Sequence, residues 1–338
     1  MNASAAEVMP HANKRHVAGS RARRDNAMRW LWRGVGLAFI ALIVWLIASK
    51  GRSIDWEAVG IALRSYELST LLGAALLALA GHAAAATYDL IGKRYVGHHL
   101  QDRQVFTINF IAYAFSINLG GLLGGWGMRM RLYSRFGLKA RQIARIIGLA
   151  FFTNWSGFVL LSAIVLLWPL QLPVELAVEQ TSWRLAASVL LFSIAIGYLL
   201  LCAVGHGRHW RLRIRDVNLQ MPSIRLGLLQ VGLSSTSWLL MAVTLDRLLP
   251  EQVPFNQVLA VLFLASVIGA ASHVPGSLGV LEASVLWLFG SQAEPLNVLA
   301  ALLAYRALYY LVPLLIAAIG FAFMEWLSRR QCRTREAA

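Results

Sequence analysis

The sequence predicts an all-α polytopic membrane protein with about six spanning helices, two re-entrant hairpins and the outline of an inverted repeat. Three observations predict it. Of 338 residues, 58% are hydrophobic and only 14% charged, whereas soluble domains run nearer half and a quarter. Apolar runs long enough to cross a bilayer recur along the chain. The Lys and Arg residues crowd into some connections and are sparse in others, as the positive-inside rule requires.

Residues 1–30 are polar and basic. The first apolar run, "LWRGVGLAFIALIVWLIAS", is long enough to span, which argues against a cleaved signal. Spans are expected at 31–49, 69–92, 146–169, 185–205, 226–248 and 297–326, in one transmembrane domain over 31–326 with a cytoplasmic tail at 327–338. Apolar blocks at 104–125 and 257–290 are harder to place, and the connections decide. Lys14, Arg15, Arg21, Arg23, Arg24, Arg29 and Arg33 mark the first helix's entry; Arg129, Arg131, Arg135, Lys139, Arg141 and Arg145 fill 126–145 without an acid. Connection 206–225 and the tail are also basic, whereas 170–184, 249–256 and 286–296 carry almost no base. Every basic segment falls on one side only if both blocks dip in and return, which puts the N- and C-termini in the cytoplasm. The halves 257–271 and 277–290 would each reach about 22 Å at ~1.5 Å per residue, short of a roughly 30 Å hydrocarbon core. Two short tilted spans per block are the alternative.

The tips of these blocks resemble each other: "NLGGLLG" (118–124) and "HVPGSLG" (273–279) share a small apolar residue second, Gly fourth, Leu sixth and Gly seventh. They would enter from opposite faces, as broken helices of inverted repeats do in transporters. Irregular backbone at membrane depth survives only where protein or a wet cavity covers it. Pro275 stops one half-helix, Gly276 and Gly279 permit the turn, and Ser277 can cap the next. Half-helix N-termini at such tips suit an anionic group.

Arg306 sits about ten residues into the last span, roughly 15 Å deep. An unpaired Arg there costs at least about 2.5–3.5 kcal/mol, so a partner is expected, and Glu282, one turn into the returning half-hairpin, is the candidate. The pair either fixes helix register or lets Arg306 hold a phosphate for which Glu282 competes. Asp89, beside Lys93 and Arg94, reads as a snorkelling interfacial acid. His82 reads as a hydrogen-bonded core histidine, and His273 at a tip as a cap or a proton site. "TNWSG" (153–157) and "SSTSW" (234–238) read as polar glue between helices. The basic segment 126–145 reads as an interfacial amphipathic helix, in which Arg129 and Arg131 either set topology or receive lipid head groups.

The net charge of +15 is accounted for by the connections, so no nucleic-acid partner is expected. "GGLLGGWG" lacks the strand and lysine of a nucleotide loop. The two cysteines, Cys202 and Cys332, give no disulfide framework. No catalytic set, metal site or cofactor is expected.

Five separated stretches, "TYDLIGKRYVGHHL", "GGWGMRMRLYSRFGL", "TNWSG", "HVPGSLGVLEA" and "ALLAYRALYYLVPLL", together resemble the lysylphosphatidylglycerol synthase transmembrane family over about 30–326. The resemblance implies an inner-membrane location and membrane phospholipids as partners. In the multiple peptide resistance factors of that family, this region is joined to a soluble aminoacyl-transferase domain and moves the aminoacylated lipid between leaflets. Other relatives handle hopanoids or glycolipids. Carried over by resemblance, Gly120, Gly121, Gly124, Gly125 and Arg129 match one motif. Pro275, Gly276, Gly279 and Glu282 match a second, and Arg306, Tyr310 and Pro313 a third. The chain stops twelve residues past the last expected helix, so lysyl transfer is not expected of it and the chain is read as a non-enzyme. The expected role is translocation of an anionic or modified phospholipid, with Asn118, Gly120, Gly121, Gly124, Arg129, Arg131, His273, Pro275, Gly276, Gly279, Glu282, Arg306 and Tyr310 as site residues. A non-transporting scaffold for envelope lipid machinery and a membrane-embedded lipid-modifying enzyme are the rivals.

Overall fold

A computed structural model describes residues 56–168, 180–207, 211–214, 217–251, 253–272, 275–289 and 294–336. The expected first span, 31–49, and His273 lie outside them. Helices α1 (Trp56–Arg64), α2 (Leu68–Ala86) and α3 (Tyr88–Val96) lead to the first hairpin. Its arms are α4 (Asp102–Leu119), then a π-helical turn at Gly121–Gly127 running into α5 (Met128–Arg135). Helices α6 (Ala140–Leu167), α7 (Gln180–Gly207) and α8 (Ile224–Asp246) follow, with a β-hairpin between the last two, β1 (Arg211–Ile214) against β2 (Val217–Gln220). The second hairpin is α9 (Phe255–Ser272), a 3-10 turn at Pro275–Ser277 and α10 (Val280–Phe289). The chain then continues through α11 (Pro295–Tyr305), a π-helical segment Arg306–Leu311 and α12 (Val312–Glu336).

Five stretches of the described residues are long and apolar enough to span: Leu68–Val96, Ala140–Leu167, Ser182–Gly205, Ile224–Asp246 and Leu296–Trp326. Each overlaps an expected span. Both difficult blocks double back. In the first hairpin Gly124 lies against the Phe115 carbonyl, Gly125 against Ser116, and Arg129 reaches Asn109. That pairing, closing on a tip at Gly120, is the register of two antiparallel arms. Only glycine fits at 124, because a Cβ would lie 2.2 Å from the Phe115 oxygen. In the second hairpin Gly269 packs on Ser277, and α10, with ten residues, reaches only about 15 Å. That length suits a re-entrant arm rather than a span.

Helix α8 packs on both α2 and α6, and the two polar patches hold the second of these crossings. Ser234 Oγ donates to the Asn154 carbonyl at 2.7 Å and accepts from the Gly157 N–H at 3.2 Å. Gln230 Nε2 donates to Thr153 Oγ1 at 2.8 Å, and Trp238 Nε1 to the Asn154 carbonyl at 3.0 Å. These bonds are interhelical glue, as expected for small and polar residues in spans. One apolar core joins α2, α6, α8, the second hairpin and the tyrosines of 305–310; a second joins the first hairpin to α6 and α12.

Candidate functional site

The two hairpin tips touch. At the first, Gly120 takes φ +86° and ends α4. At the second, Gly276 (φ +62°), Ser277 (φ +48°) and Gly279 (φ +79°) form a left-handed turn, for which two of the three residues are the type that pays no steric cost. A Cβ on Gly276 would lie 3.3 Å from the Asn118 carbonyl, so one tip rests on the backbone of the other. Asn118 Nδ2 donates to the Ala114 carbonyl at 2.8 Å and across to the Tyr310 carbonyl at 3.2 Å. Tyr310 lies in the π-helical segment, where the altered ladder leaves a carbonyl available to an outside donor. Three irregular segments, one from each hairpin and one from the last span, therefore converge on one place.

Arg306 anchors this junction. Its Nε donates to Glu282 Oε1 at 2.7 Å and its Nη2 to Oε2 at 3.2 Å, a bidentate pair. Nη2 also donates to the Ser277 carbonyl at 3.0 Å, Nη1 to the Gly276 carbonyl, and the guanidinium stacks 4.4 Å from the Tyr310 ring centre. Glu282 Oε2 in turn accepts from the Gly279 N–H at 2.9 Å. So Glu282 supplies a cap for α10, and Ser277 offers its carbonyl to Arg306. The carboxylate stands at a helix N-terminus beside a guanidinium, the place where an anionic headgroup would be stabilised. The side chains of Arg306 and Glu282 keep 11% and 23% of their surface exposed.

The first hairpin carries the same device with the charges exchanged. Arg129, on the returning arm, donates through Nε to both Asp89 oxygens at 3.0 and 3.2 Å, through Nη1 to the Gly125 carbonyl at 3.3 Å, and through Nη2 to Asn109 Oδ1. Asp89 also accepts from Tyr133 Oη at 3.0 Å and is wholly buried. The snorkelling expected of Asp89 is thereby corrected: it lies on the face of α3 turned to the hairpin, away from the aqueous rim that Lys93 occupies when it pairs with Asp102 at 2.6 Å. Lys93 holds the Asp102 carboxyl below its ordinary range. Asn109 completes the cluster, its Nδ2 donating to the Ala85 and Ala86 carbonyls at 2.9 and 3.1 Å, where α2 gives way to α3. An Asn near the start of the apolar run "INFIAYAF" (108–115) is the signal that points to it.

Of the remaining expected residues, Gly121 and Pro275 stay with the tips and Arg131 does not. Gly121 is exposed near the first tip, and Pro275 opens the 3-10 turn. Arg131 lies on the exposed face of α5, paired with Glu325 at 2.6 Å and stacked on Phe321 at 5.0 Å, away from the tips. His82 is fully buried, with Nδ1 2.9 Å from the Ala78 carbonyl and its ring among Phe110, Tyr113 and Tyr309.

Spanning helices, broken hairpins meeting tip to tip and two Arg–carboxylate pairs, one buried and one partly buried, define a polytopic α-helical membrane protein built around irregular backbone. The chain belongs to the family described as "Lysylphosphatidylglycerol synthase TM region", whose sequence model matches residues 34–317. It is 39% identical to "Inner membrane protein YbhN" of Escherichia coli over 89% of this chain and 94% of that one. It is 30% identical to the Synechocystis protein slr0712 over the same shares. A Staphylococcus aureus "Phosphatidylglycerol lysyltransferase" is 25% identical over 84% of this chain but only 33% of its own length.

Proposed function

We propose that this protein translocates an anionic or modified phospholipid across the inner membrane, with the junction of the two hairpin tips as the headgroup site. The observation that carries the reading is Arg306, a guanidinium within a span whose principal partner is a partly exposed carboxylate at a helix N-terminus. A phosphate diester presents oxygens in the geometry that Glu282 presents, so it can replace Glu282 on Arg306 without leaving the cation unpaired. Glu282 then swings away or takes up a proton. Gly120, Gly121, Gly124 and Asn118 shape the facing tip. Arg129, Arg131 and Tyr310 position the first hairpin and the arginine, and acyl chains stay in lipid.

Three further statements belong to this reading. Residues 31–326 form one transmembrane domain, both termini face the cytoplasm as the basic connections require, and the chain acts without enzymatic chemistry of its own. The test is movement of labelled phosphatidylglycerol between leaflets of proteoliposomes, for wild type, Arg306→Gln and Glu282→Gln. Wild-type movement lost in Arg306→Gln, with the fold intact, is the expected result. Movement unchanged by Arg306→Gln removes the junction as the site. No movement with anionic or aminoacylated lipids favours the scaffold reading, which the four donor bonds holding Arg306 to the second hairpin would then explain.

A further inference from the structure

A second polar site lies away from both hairpin pairs. The first turns of α2, the last turn of α8 and the connection into α9 enclose a cleft of about 1000 Å³. That size matches a small-molecule site. Leu77, Val243 and Phe255 contribute apolar wall, while Ser69, Thr70, Asp246, Arg247 and Glu251 contribute the polar part. Asp246 is half-buried, and Arg247 and Glu251 are exposed. Among the described residues, none of these three charged side chains forms an ion pair or a hydrogen bond. This is unlike Asp89, Arg129, Glu282 and Arg306, which are all paired. Two carboxylates and one guanidinium line a common space; Arg247 acts on Asp246 through its charge without closing an ion pair with it, so together they present one hydrogen-bonding fork for an oxyanion and two acceptors for a cation.

The position fixes the level at which such a ligand would sit. Leu68 begins one candidate span and Asp246 ends another, so the cleft lies where two spans leave the apolar zone. Beside it Leu68, Leu72 and Leu76 run up one face of α2 at helical spacing, 70%, 56% and 68% exposed. An amphiphile with its polar end in the cleft would lay its chains along this strip.

We propose that the cleft binds the headgroup of a phospholipid bearing both a phosphate and a primary ammonium, as an ethanolamine headgroup does. Arg247 takes the phosphate, and Asp246 and Glu251 take the ammonium. An anionic headgroup without an amine leaves both carboxylates unpaired and meets a cleft of net negative charge. Gly73 offers a clean probe, because it lines the cleft and a Cβ there meets nothing within 4 Å. Gly73→Leu fills the space with a good helix former.

The experiment is native mass spectrometry of the purified full chain with phosphatidylethanolamine and phosphatidylglycerol of matched acyl chains. Wild type, Asp246→Asn and Gly73→Leu are compared, with thermal midpoints confirming the fold. Expected is about a tenfold preference for the ethanolamine lipid, the size of one charge-assisted bond. Asp246→Asn should reduce the preference and Gly73→Leu should abolish it. Equal binding of the two lipids by wild type, or a preference untouched by Gly73→Leu in a folded protein, overturns the proposal. The outcome is independent of Arg306, so it stands or falls apart from translocation at the tips.

Discussion

Removing the carboxylate of Asp89 tests whether the first hairpin is held by its buried ion pair. In Asp89→Ala, Arg129 keeps its bonds to Asn109 and the Gly125 carbonyl but loses both contacts with its counter-ion. Its side chain has 9% of its surface exposed, and that of Asp89 none, so water cannot take over. Breaking a pair buried to this degree costs about 3–5 kcal/mol. The Tyr133 hydroxyl, which donates to Asp89 at 3.0 Å, loses its acceptor and adds about 1–3 kcal/mol. The expected loss is therefore at least ~4 kcal/mol, a fall in thermal midpoint on the order of 10 °C. It would be read by fluorescence-detected unfolding in detergent. Asp89→Ala combined with Arg129→Met removes both charges and should recover the part of that loss due to the uncompensated cation, while the Tyr133 hydroxyl and Asn109 Oδ1 stay without the partners they had. A single variant within about 0.5 kcal/mol of wild type would refute the reasoning. So would a double variant as damaged as the sum of the two single ones.

Two further outcomes follow from local geometry. Gly124→Ala drives a methyl to 2.2 Å from the Phe115 carbonyl, so the arms of the first hairpin must separate. Folding yield and thermal midpoint should fall, while Gly121→Ala, whose Cβ meets nothing within 4 Å, leaves both unchanged. His98, in the connection between α3 and α4, is held below its ordinary range first by burial, then by Lys93 and His99, with Asp89 opposing. Its Nδ1 accepts from the Leu100 N–H at 3.3 Å. The folded state therefore favours the neutral ring. Its contribution is complete above about pH 6.5, the unfolded value, and is lost as the pH falls from there through the lower folded value. A midpoint that declines between pH 7 and pH 5 in wild type, and less in His98→Asn, is the expected measurement.

What could be read from the sequence divides along physical lines. Spans and hairpins were legible because length, apolarity and loop charge are one-dimensional quantities set by the bilayer. The partner of Arg306 was legible because a buried charge demands one and Glu282 was the acid within reach along the neighbouring arm. Asp89 was misread because charge next to Lys93 and Arg94 looks interfacial, and only the packing of α3 on the hairpin turns that residue inward. Asn109 and Asn118 were harder still. Each acts through carbonyls freed by breaks at Thr87 and at 306–311, and nothing in composition marks a π-helical turn.

The two charge pairs, alike in plan, differ in how readily they can part, and this decides which could admit a lipid. Asp89 has no exposed surface and is also held by Tyr133, while Arg129 is also held by Asn109, which is tied to two carbonyls of α2. Displacing that pair would orphan several groups at once, each costing about 1–3 kcal/mol. Glu282 keeps about a quarter of its side-chain surface open at 23%. Besides Arg306, the partner shown for its carboxylate is a single N–H, that of Gly279. The other acceptors of Arg306 are carbonyls of a turn at Gly276 and Ser277, where glycine at 276 and 279 gives the backbone freedom to move. On the proposed reading, an anion approaching the tips exchanges for Glu282 at little cost in unpaired groups, while Asp89–Arg129 holds the facing hairpin as the wall against which that exchange would occur.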